Sequence, residues 1–246
     1  MNVCAIQLRI KWENPGENIC RAMKLVGEAA DMGCELACLP ELFATGVTLE
    51  PQKYAEKTNG PTCTALSDAA KENAITVVGS FIEESLGKKP YNTVVVYDKR
   101  GRLVCKYRKM KLFRYGGEHL VYSPGKKNAT FELGGFKVMP HICYDLRFAG
   151  LFSKLNCEFH VVVANWPSPR KDHWVTLLKA RAIETQSFVL GVNMVGKNLK
   201  NTFFGASQII SPHGEVLASA GGKEQIISAD ISVKEVREYR SKYNPP

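Results

Sequence analysis

Short apolar runs alternate along this chain with stretches in which apolar residues recur at helical spacing. Because strands outnumber helices, we expect an α/β fold in which two sheets pack together with the helices outside, rather than one doubly wound sheet. The predicted strands are Val3–Leu8, Glu35–Leu39, Ile75–Ile82, Thr93–Tyr97, Leu103–Tyr107, Thr130–Leu133, Phe136–Ile142, Phe159–Ala164, Phe188–Met194, Gln208–Ile210, Glu215–Ala218 and Gln225–Ile231. The main predicted helices are Asn18–Met32, Thr62–Asn73, His173–Ser187 and Val233–Arg240.

Length and composition indicate one globular domain, and we expect it to span residues 1–246. The sequence has no apolar run of about 18 residues, so no membrane span is expected, and its N-terminus lacks the pattern of a secretory signal. The eight cysteines are scattered, which favours free thiols in a cytoplasmic protein over disulfides or a metal site. The net charge of +9 is spread along the chain without an arginine-rich block, so no nucleic-acid partner is expected.

Three reactive side chains stand at the ends of predicted strands. Glu41, Lys109 and Cys143 follow the second, fifth and seventh of these strands. Strand ends converge on one cleft in α/β folds, so we expect the three side chains to meet. Cys143 also precedes a predicted helix that begins over Arg147–Leu155, and a thiol near a helix N-terminus is expected to be exposed and to favour its thiolate form.

A carboxylate, an ammonium and a thiol together can hydrolyse an amide. Glu41 would take the proton of Cys143 as the sulfur attacks the carbonyl carbon, and would then give that proton to the departing amine. Lys109 and the backbone N–H of Tyr144 would stabilise the oxyanion of the tetrahedral intermediate. Water activated by Glu41 would finally hydrolyse the thioester, so this chemistry needs neither a metal nor a cofactor.

The segments around these residues resemble the three signature segments of the nitrilase superfamily of carbon–nitrogen hydrolases. In the family's order along the chain, the matching segments are Leu39–Gly46, Tyr107–Phe113 and Ile142–Phe148. The resemblance runs over nearly all of the chain. Three further segments look most like the ω-amidase branch: Ala164–Arg170, His173-Trp174 and Lys179–Gln186.

The resemblance implies a four-layer αββα sandwich, a homodimer, and a catalytic triad made of Glu41, Lys109 and Cys143. It also implies a second glutamate that orients the lysine and the substrate amide, for which Glu118 is the candidate. The chain departs from the family pattern at three places, and these bear on the pocket wall more than on the triad. The departures are at Lys111, His141 and Ala149-Gly150.

His141 offers an alternative way to activate the thiol. It stands two residues before Cys143, so both side chains would face the same side of a strand, about 7 Å apart. A pair along one strand leaves little room for a substrate, and no acid that would orient His141 is evident. The distant Glu41 and Lys109 are therefore the favoured partners of Cys143.

The resemblance implies a small amide as the partner of this site. An ω-amidase cleaves the terminal amide of a short dicarboxylic monoamide such as 2-oxoglutaramate, so a cation should hold the carboxylate at the far end. Trp166 would form an apolar wall, and Arg147 has the alternative role of a structural ion pair. Other branches stay open, namely N-carbamoyl-amino-acid hydrolase, deaminated-glutathione amidase and nitrilase, as does a non-catalytic adaptor. The candidate cations are Lys111, Arg114, Arg147 and Arg170.

Overall fold

A computed structural model describes residues 1–198 and 200–243, and this part of the chain contains six helices and fourteen strands. The predicted domain, 1–246, also includes residues 199 and 244–246, which lie outside the described residues. The helices are α1 (Pro15–Asp31), α2 (Pro61–Glu72), α3 (Glu118–Val121), α4 (Ala149–Phe152), α5 (Lys171–Thr185) and α6 (Val233–Tyr243). The strands are β1 (Asn2–Gln7), β2 (Leu36–Cys38), β3 (Thr76–Glu83), β4 (Tyr91–Tyr97), β5 (Leu103–Arg108), β6 (Phe131–Leu133), β7 (Phe136–Ile142), β8 (Phe159–Ala164), β9 (Phe188–Asn193), β10 (Val195–Lys197), β11 (Thr202–Phe204), β12 (Gln208–Ile210), β13 (Val216–Ser219) and β14 (Gln225–Asp230).

The strands form two six-stranded sheets, with a small ribbon of β10 and β11 beside them. The order in the first sheet is β14-β1-β2-β3-β4-β5, in which β1, β2 and β3 are parallel and the other neighbours are antiparallel. The order in the second sheet is β13-β12-β9-β8-β7-β6, in which β7, β8 and β9 are parallel. Parallel strands are normally covered on both faces, and every residue of β2, β3, β8 and β9 is buried.

The two sheets pack face to face, and helices cover their outer faces. One apolar cluster lies between the sheets and includes Val78 from the first and Val161 from the second. Another joins the first sheet to α1 and α2, where Val26 and Leu66 are buried. A further cluster joins the second sheet to α4 and α5 and includes Trp174. The predicted four-layer αββα sandwich is therefore confirmed.

The helices begin and end where the local sequence favours it. The side chain of Asn14 accepts a hydrogen bond from the N–H of Glu17 at the start of α1, and Pro15 occupies the first position of that helix. At the C-terminal end of α5, Gln186 adopts a left-handed conformation with φ of 48°, which ends the helix. None of the helices in the described residues has the length and apolar character needed to cross a membrane.

Two expectations from the sequence need correction. The helix predicted to begin over Arg147–Leu155 is formed only in part, since Cys143–Arg147 makes a single 3-10 turn and α4 covers only Ala149–Phe152. Gly150 is a poor helix former, and Asn156 has a left-handed φ of 46° that a continuing helix cannot adopt. The strands β10 and β11 are also not among those predicted from the sequence.

Candidate active site

Lys109 lies between two carboxylates in the interior of the protein. Its Nζ donates to Oε1 of Glu41 at 2.8 Å and to Oε1 of Glu118 at 2.7 Å. Lys109 and Glu41 have no exposed surface, and Glu118 is 5% exposed. Burial acts to lower the pKa of Lys109, but the charges of Glu118 and Glu41 outweigh it and hold that pKa well above its usual range. The lysine therefore keeps its positive charge inside the protein.

Cys143 directly follows β7 and faces the same cavity as Glu41 and Glu118. Its φ of 46° lies in the left-handed region, which residues other than glycine seldom adopt. The chain turns sharply here between β7 and the 3-10 turn. This strained turn presents the thiol at the end of the strand, and the structure brings together the four side chains that the sequence predicts as catalytic.

The thiol of Cys143 does not favour its thiolate form, contrary to the expectation from its place before a helix. Burial and the negative charge of Glu41 raise the pKa of the thiol well above its usual range, while Lys109 acts in the opposite direction. The expected helix N-terminus is replaced by the single 3-10 turn. Attack by the sulfur therefore needs a base that removes the proton, and Glu41 is a carboxylate that lines the same cavity as the thiol.

Asp145 fixes the turn that carries Cys143. Its buried carboxylate accepts hydrogen bonds from the N–H of Ile142 at 3.0 Å, the hydroxyl of Tyr107 at 2.8 Å and the N–H of Lys111 at 2.9 Å. Burial raises the pKa of this carboxyl to about 6. One side chain thus ties the turn of the nucleophile to the end of β5, from which the lysine projects.

Two asparagines that the sequence analysis does not single out hold Glu41 in place. Oε1 of Glu41 accepts from Nδ2 of Asn92 at 2.8 Å, and Oε2 accepts from the backbone N–H of Asn165 at 2.9 Å. The side-chain Nδ2 of Asn165 also donates to the backbone carbonyl of Glu41. Asn165 stands in one of the segments that resemble the ω-amidase branch, which is the signal that points to it; for Asn92 the sequence offers none.

A cavity of about 540 Å³ lies in front of Cys143. Among the described residues, Lys111 and Arg114 do not line it. The ammonium of Lys111 lies 4.8 Å from the ring centre of Phe148 instead. No group of three or more His, Cys, Asp or Glu side chains within residues 1–198 and 200–243 is arranged to hold a metal ion. The predicted substrate-binding residues that do line the cavity are Tyr144, Arg147, Trp166 and Arg170.

The guanidinium groups of Arg147 and Arg170 lie over aromatic rings at the wall of the cavity. Arg147 is 5.1 Å from the ring centre of Trp166 and donates to Nδ1 of His173 at 2.8 Å. Arg170 is 4.9 Å from the ring centre of Phe113. In the described part of the chain, no ion pair joins either guanidinium to a carboxylate. Both cations are therefore available to an anionic group in the cavity.

His141 packs in a buried pair with His160. The rings of His141 and Phe152 stack with centres 3.7 Å apart, and Nε2 of His141 lies 3.0 Å from Nδ1 of His160. Burial lowers the pKa of His141 well below its usual range and lowers that of His160 to about 3. Both imidazoles are thus neutral near pH 7, and these contacts give no support to His141 as the base for Cys143.

Acidification is expected to destabilise the protein through this histidine pair. A histidine with a pKa of about 3 when folded and about 6.5 when unfolded binds more protons in the unfolded state, so its contribution is fully present above pH 6.5 and is lost as the pH falls. At pH 5, His160 alone should lower the free energy of unfolding by about 2 kcal/mol. Urea unfolding at pH 7.5 and 5 measures this loss. If His160→Asn lost as much free energy of unfolding between pH 7.5 and pH 5 as the wild type, His160 would not be the cause of the loss.

Comparison with known proteins identifies the family. The profile of the family described as Carbon-nitrogen hydrolase matches residues 2–241. The chain belongs to this family. The hydrolase is 37% identical over 242 residues to the 2-oxoglutaramate amidase of Bacillus subtilis, and the match covers 97% of this chain and 93% of the relative. It is also 37% identical to an ω-amidase of Xenopus tropicalis, over 91% of this chain and 86% of the relative.

Solved structures agree with the sequence relatives. The crystal structure of a CN-hydrolase superfamily protein from Xanthomonas campestris matches the hydrolase with a TM-score of 0.94 at 30% identity, covering 99% of this chain and 94% of that one. The predicted resemblance to the nitrilase superfamily, and within it to the ω-amidase branch, is confirmed. The predicted enzyme class, a carbon–nitrogen hydrolase, is confirmed with it.

Proposed function

We propose that this hydrolase cleaves the terminal amide of small dicarboxylic monoamides such as 2-oxoglutaramate and releases ammonia. The observation that carries the proposal is the buried group of Glu41, Lys109 and Glu118 beside Cys143, in a cavity whose arginines have no carboxylate partner among the described residues. Relatives named 2-oxoglutaramate amidase and ω-amidase support the same reaction.

In the first half-reaction, Sγ of Cys143 attacks the amide carbon while Glu41 takes the thiol proton. The oxyanion that forms is stabilised by Nζ of Lys109 and the backbone N–H of Tyr144. Because two carboxylates already hold Lys109 in place, its charge needs little reorganisation when the oxyanion develops. The C–N bond breaks as Glu41 passes the proton to nitrogen, so ammonia leaves and a thioester remains on Cys143.

In the second half-reaction, water attacks the thioester carbon and Glu41 takes a proton from that water. The same two donors stabilise the second oxyanion. The C–S bond then breaks, and Glu41 returns the proton to the sulfur of Cys143. Since the pKa of this thiol is raised, the resting site holds a thiol, and proton removal accompanies the attack of the sulfur instead of preceding it.

Glu118 acts on the reaction mainly through Lys109. Its Oε1 accepts from the ammonium, and its Oε2 accepts from the N–H of Phe113 at 2.9 Å. Both oxygens are therefore held, one by the lysine and one by the backbone. We assign Glu118 the role of a positioning residue that fixes the lysine and lies within the substrate cavity.

Arg147 and Arg170 would bind the carboxylate at the far end of the substrate. A guanidinium offers paired N–H donors that match the two oxygens of a carboxylate. Trp166, which is buried and lines the cavity, would cover the short carbon chain between the carboxylate and the amide. This arrangement favours an amide with an anionic end over a neutral one.

Ammonia release from a panel of substrates tests the proposed function. The panel contains 2-oxoglutaramate, succinamate, an N-carbamoyl amino acid and an aliphatic nitrile, and Cys143→Ala is the control. We expect wild-type enzyme to turn over the two monoamides and the variant to turn over none. Preference for the carbamoyl compound or the nitrile would assign another branch. No turnover by wild type would favour the non-catalytic adaptor, and full turnover by the variant would contradict the role of Cys143 as the nucleophile.

Replacing Arg170 with glutamine is expected to raise KM for succinamate roughly tenfold to a hundredfold with little change in kcat, because hydrogen bonds to charged groups contribute about 1.5–3 kcal/mol. Butyramide, which lacks the carboxylate, should keep its KM. Arg147→Gln tests the second cation in the same way. Arg114→Gln, outside the cavity wall, is the matched control. Equal changes for succinamate and butyramide would argue against carboxylate binding.

We also propose a homodimer in the cytoplasm. Ile183 on α5 is 47% exposed and contacts the turn at Gly214, close to the exposed Val216 and Leu217 of β13. Exposed apolar side chains such as these are what a second copy of the chain would cover in a dimer. The eight cysteines, all within the described residues, are free, which suits a reducing compartment. Light scattering should give about twice the 27.3 kDa of one chain.

A further inference from the structure

Asn193, the last residue of β9, is a fully buried asparagine whose side-chain amide has all of its hydrogen-bonding capacity in use. Its Oδ1 accepts from the backbone N–H of Trp166 at 2.8 Å and from that of Met194 at 3.0 Å. Its Nδ2 donates to the backbone carbonyls of Trp166 at 3.1 Å and Gly205 at 2.9 Å. Because an asparagine amide has two donors and two acceptor positions, these four bonds fix its orientation.

The side chain of Asn193 takes the place of a neighbouring strand at the point where β8 ends. Asn193 pairs with Ala164, the last residue of β8, in the parallel ladder between β8 and β9. Two residues after Ala164, the N–H and the carbonyl of Trp166 both bond to the side chain of Asn193. One amide thus holds both backbone polar groups of a residue beyond the ladder. Trp166, and with it the preceding Asn165, is therefore fixed relative to β9.

The segment that is held in this way contacts both ends of the proposed substrate site. One residue before Trp166, the backbone N–H of Asn165 donates to Oε2 of Glu41 at 2.9 Å. The indole Nε1 of Trp166 donates to the backbone carbonyl of Arg170 at 2.8 Å. The guanidinium of Arg147 lies 5.1 Å from the ring centre of the same tryptophan. A displacement of this segment would therefore move the base and both cations together.

We propose that Asn193 is a positioning residue for catalysis, which sets the base Glu41 and the two carboxylate-binding arginines through the backbone of Trp166. This inference rests on the proposed amide hydrolysis at Cys143. Asn193 is not among the described residues that line the cavity, so it acts on the reaction only through its neighbours. A displacement of about 1 Å that originates far from the chemistry can lower a rate about a hundredfold. The two bonds to Trp166 should therefore affect both kcat and KM.

Steady-state kinetics of Asn193→Ala with succinamate and butyramide test the proposal. kcat should fall about a hundredfold for both amides, because both need Glu41. KM should rise about tenfold for succinamate alone, since butyramide has no carboxylate for the displaced arginines to bind. Ser187→Ala is the matched control: Ser187 is fully buried, lies about 20 Å from Asn193 along β9, and donates to the carbonyl of Cys157 at 2.8 Å. This variant should lose stability but keep the kcat and KM of the wild type.

Fluorine NMR measures the hold on Trp166 independently of turnover. The chain has three tryptophans, so protein made with fluorotryptophan gives three resonances, and that of Trp166 is the one missing from Trp166→Phe. This resonance should shift in Asn193→Ala and stay in place in Ser187→Ala. Because no substrate is needed, the measurement is valid even if succinamate is not turned over. Turnover of succinamate by wild type tests the amidase activity separately, so the two failures are distinguishable.

Three results would overturn the proposal. The first is a fall in kcat of equal size in Ser187→Ala, since loss of stability alone would then explain it. The second is the kcat and KM of the wild type in a folded Asn193→Ala, and the third is a Trp166 resonance that does not shift in that variant. Should the alanine variant not fold, Asn193→Ser, whose hydroxyl is too short to bond both backbone groups of Trp166, gives the same comparisons.

Discussion

Replacing Glu41 with glutamine is expected to slow thioester formation about a thousandfold while making the thiol of Cys143 more acidic. General acid–base catalysis contributes roughly 10²- to 10⁴-fold, and a glutamine amide cannot accept the thiol proton. The charge of Glu41 is also one of the causes that raise the pKa of the thiol, whereas Lys109, which lowers that pKa, stays in place. A more acidic nucleophile would thus accompany a nearly inactive enzyme.

Two measurements separate these effects. Single-turnover ammonia release follows thioester formation, and the rate of alkylation by iodoacetamide against pH follows ionisation of the thiol. The midpoint of the alkylation profile should move to lower pH in Glu41→Gln. A midpoint that moved to higher pH would contradict the electrostatic effect of Glu41 on the thiol, and an unchanged rate of ammonia release would contradict its assignment as the base. Glu238→Gln, on the exposed face of α6, removes one charge far from the cavity and is the control.

The pattern of apolar runs predicts most of the strands of the fold. Phe159–Ala164 and Phe188–Met194 are predicted from continuous apolar runs, and the structure has parallel, fully buried strands at nearly the same positions. Strand order is not contained in such runs, because β14 near the C-terminus pairs with β1 at the N-terminus. The pattern therefore predicted two packed sheets with helices outside, and the family resemblance predicted the four-layer αββα sandwich, but neither gave the strand order.

The sequence predicts those residues of the candidate site that directly follow a strand, but not the contacts between them. The acidity expected for Cys143 was wrong because a local pattern shows neither the burial of the thiol nor the charge of Glu41. The hydrogen bond between Tyr107 and Asp145 joins residues 38 positions apart, and that between Glu41 and Asn165 joins residues 124 positions apart. Such contacts exist only in the folded chain, so a single sequence does not contain them.

Replacing Lys109 with methionine is expected to lower the free energy of unfolding by about 3–5 kcal/mol, the usual effect of removing one partner from a buried ion pair. The side chains of Glu41 and Glu118 would then face each other in the interior without a counter-charge. Turnover should also fall by roughly a hundredfold to a thousandfold, since the charged donor to the oxyanion is lost. Urea unfolding and succinamate hydrolysis measure the two losses.

Three comparisons decide whether repulsion between the carboxylates causes the loss of stability. The loss should shrink as the pH is lowered, because a proton taken up by the pair replaces the missing positive charge. Combining Lys109→Met with Glu118→Gln should restore part of the stability but no turnover. Lys106→Met on β5 is the matched control: its ammonium is 2.9 Å from Glu83, but the side chain is 38% exposed, so the ion pair should contribute at most about 1 kcal/mol. A loss as small as this in Lys109→Met would mean that the buried lysine does not hold the two glutamates together.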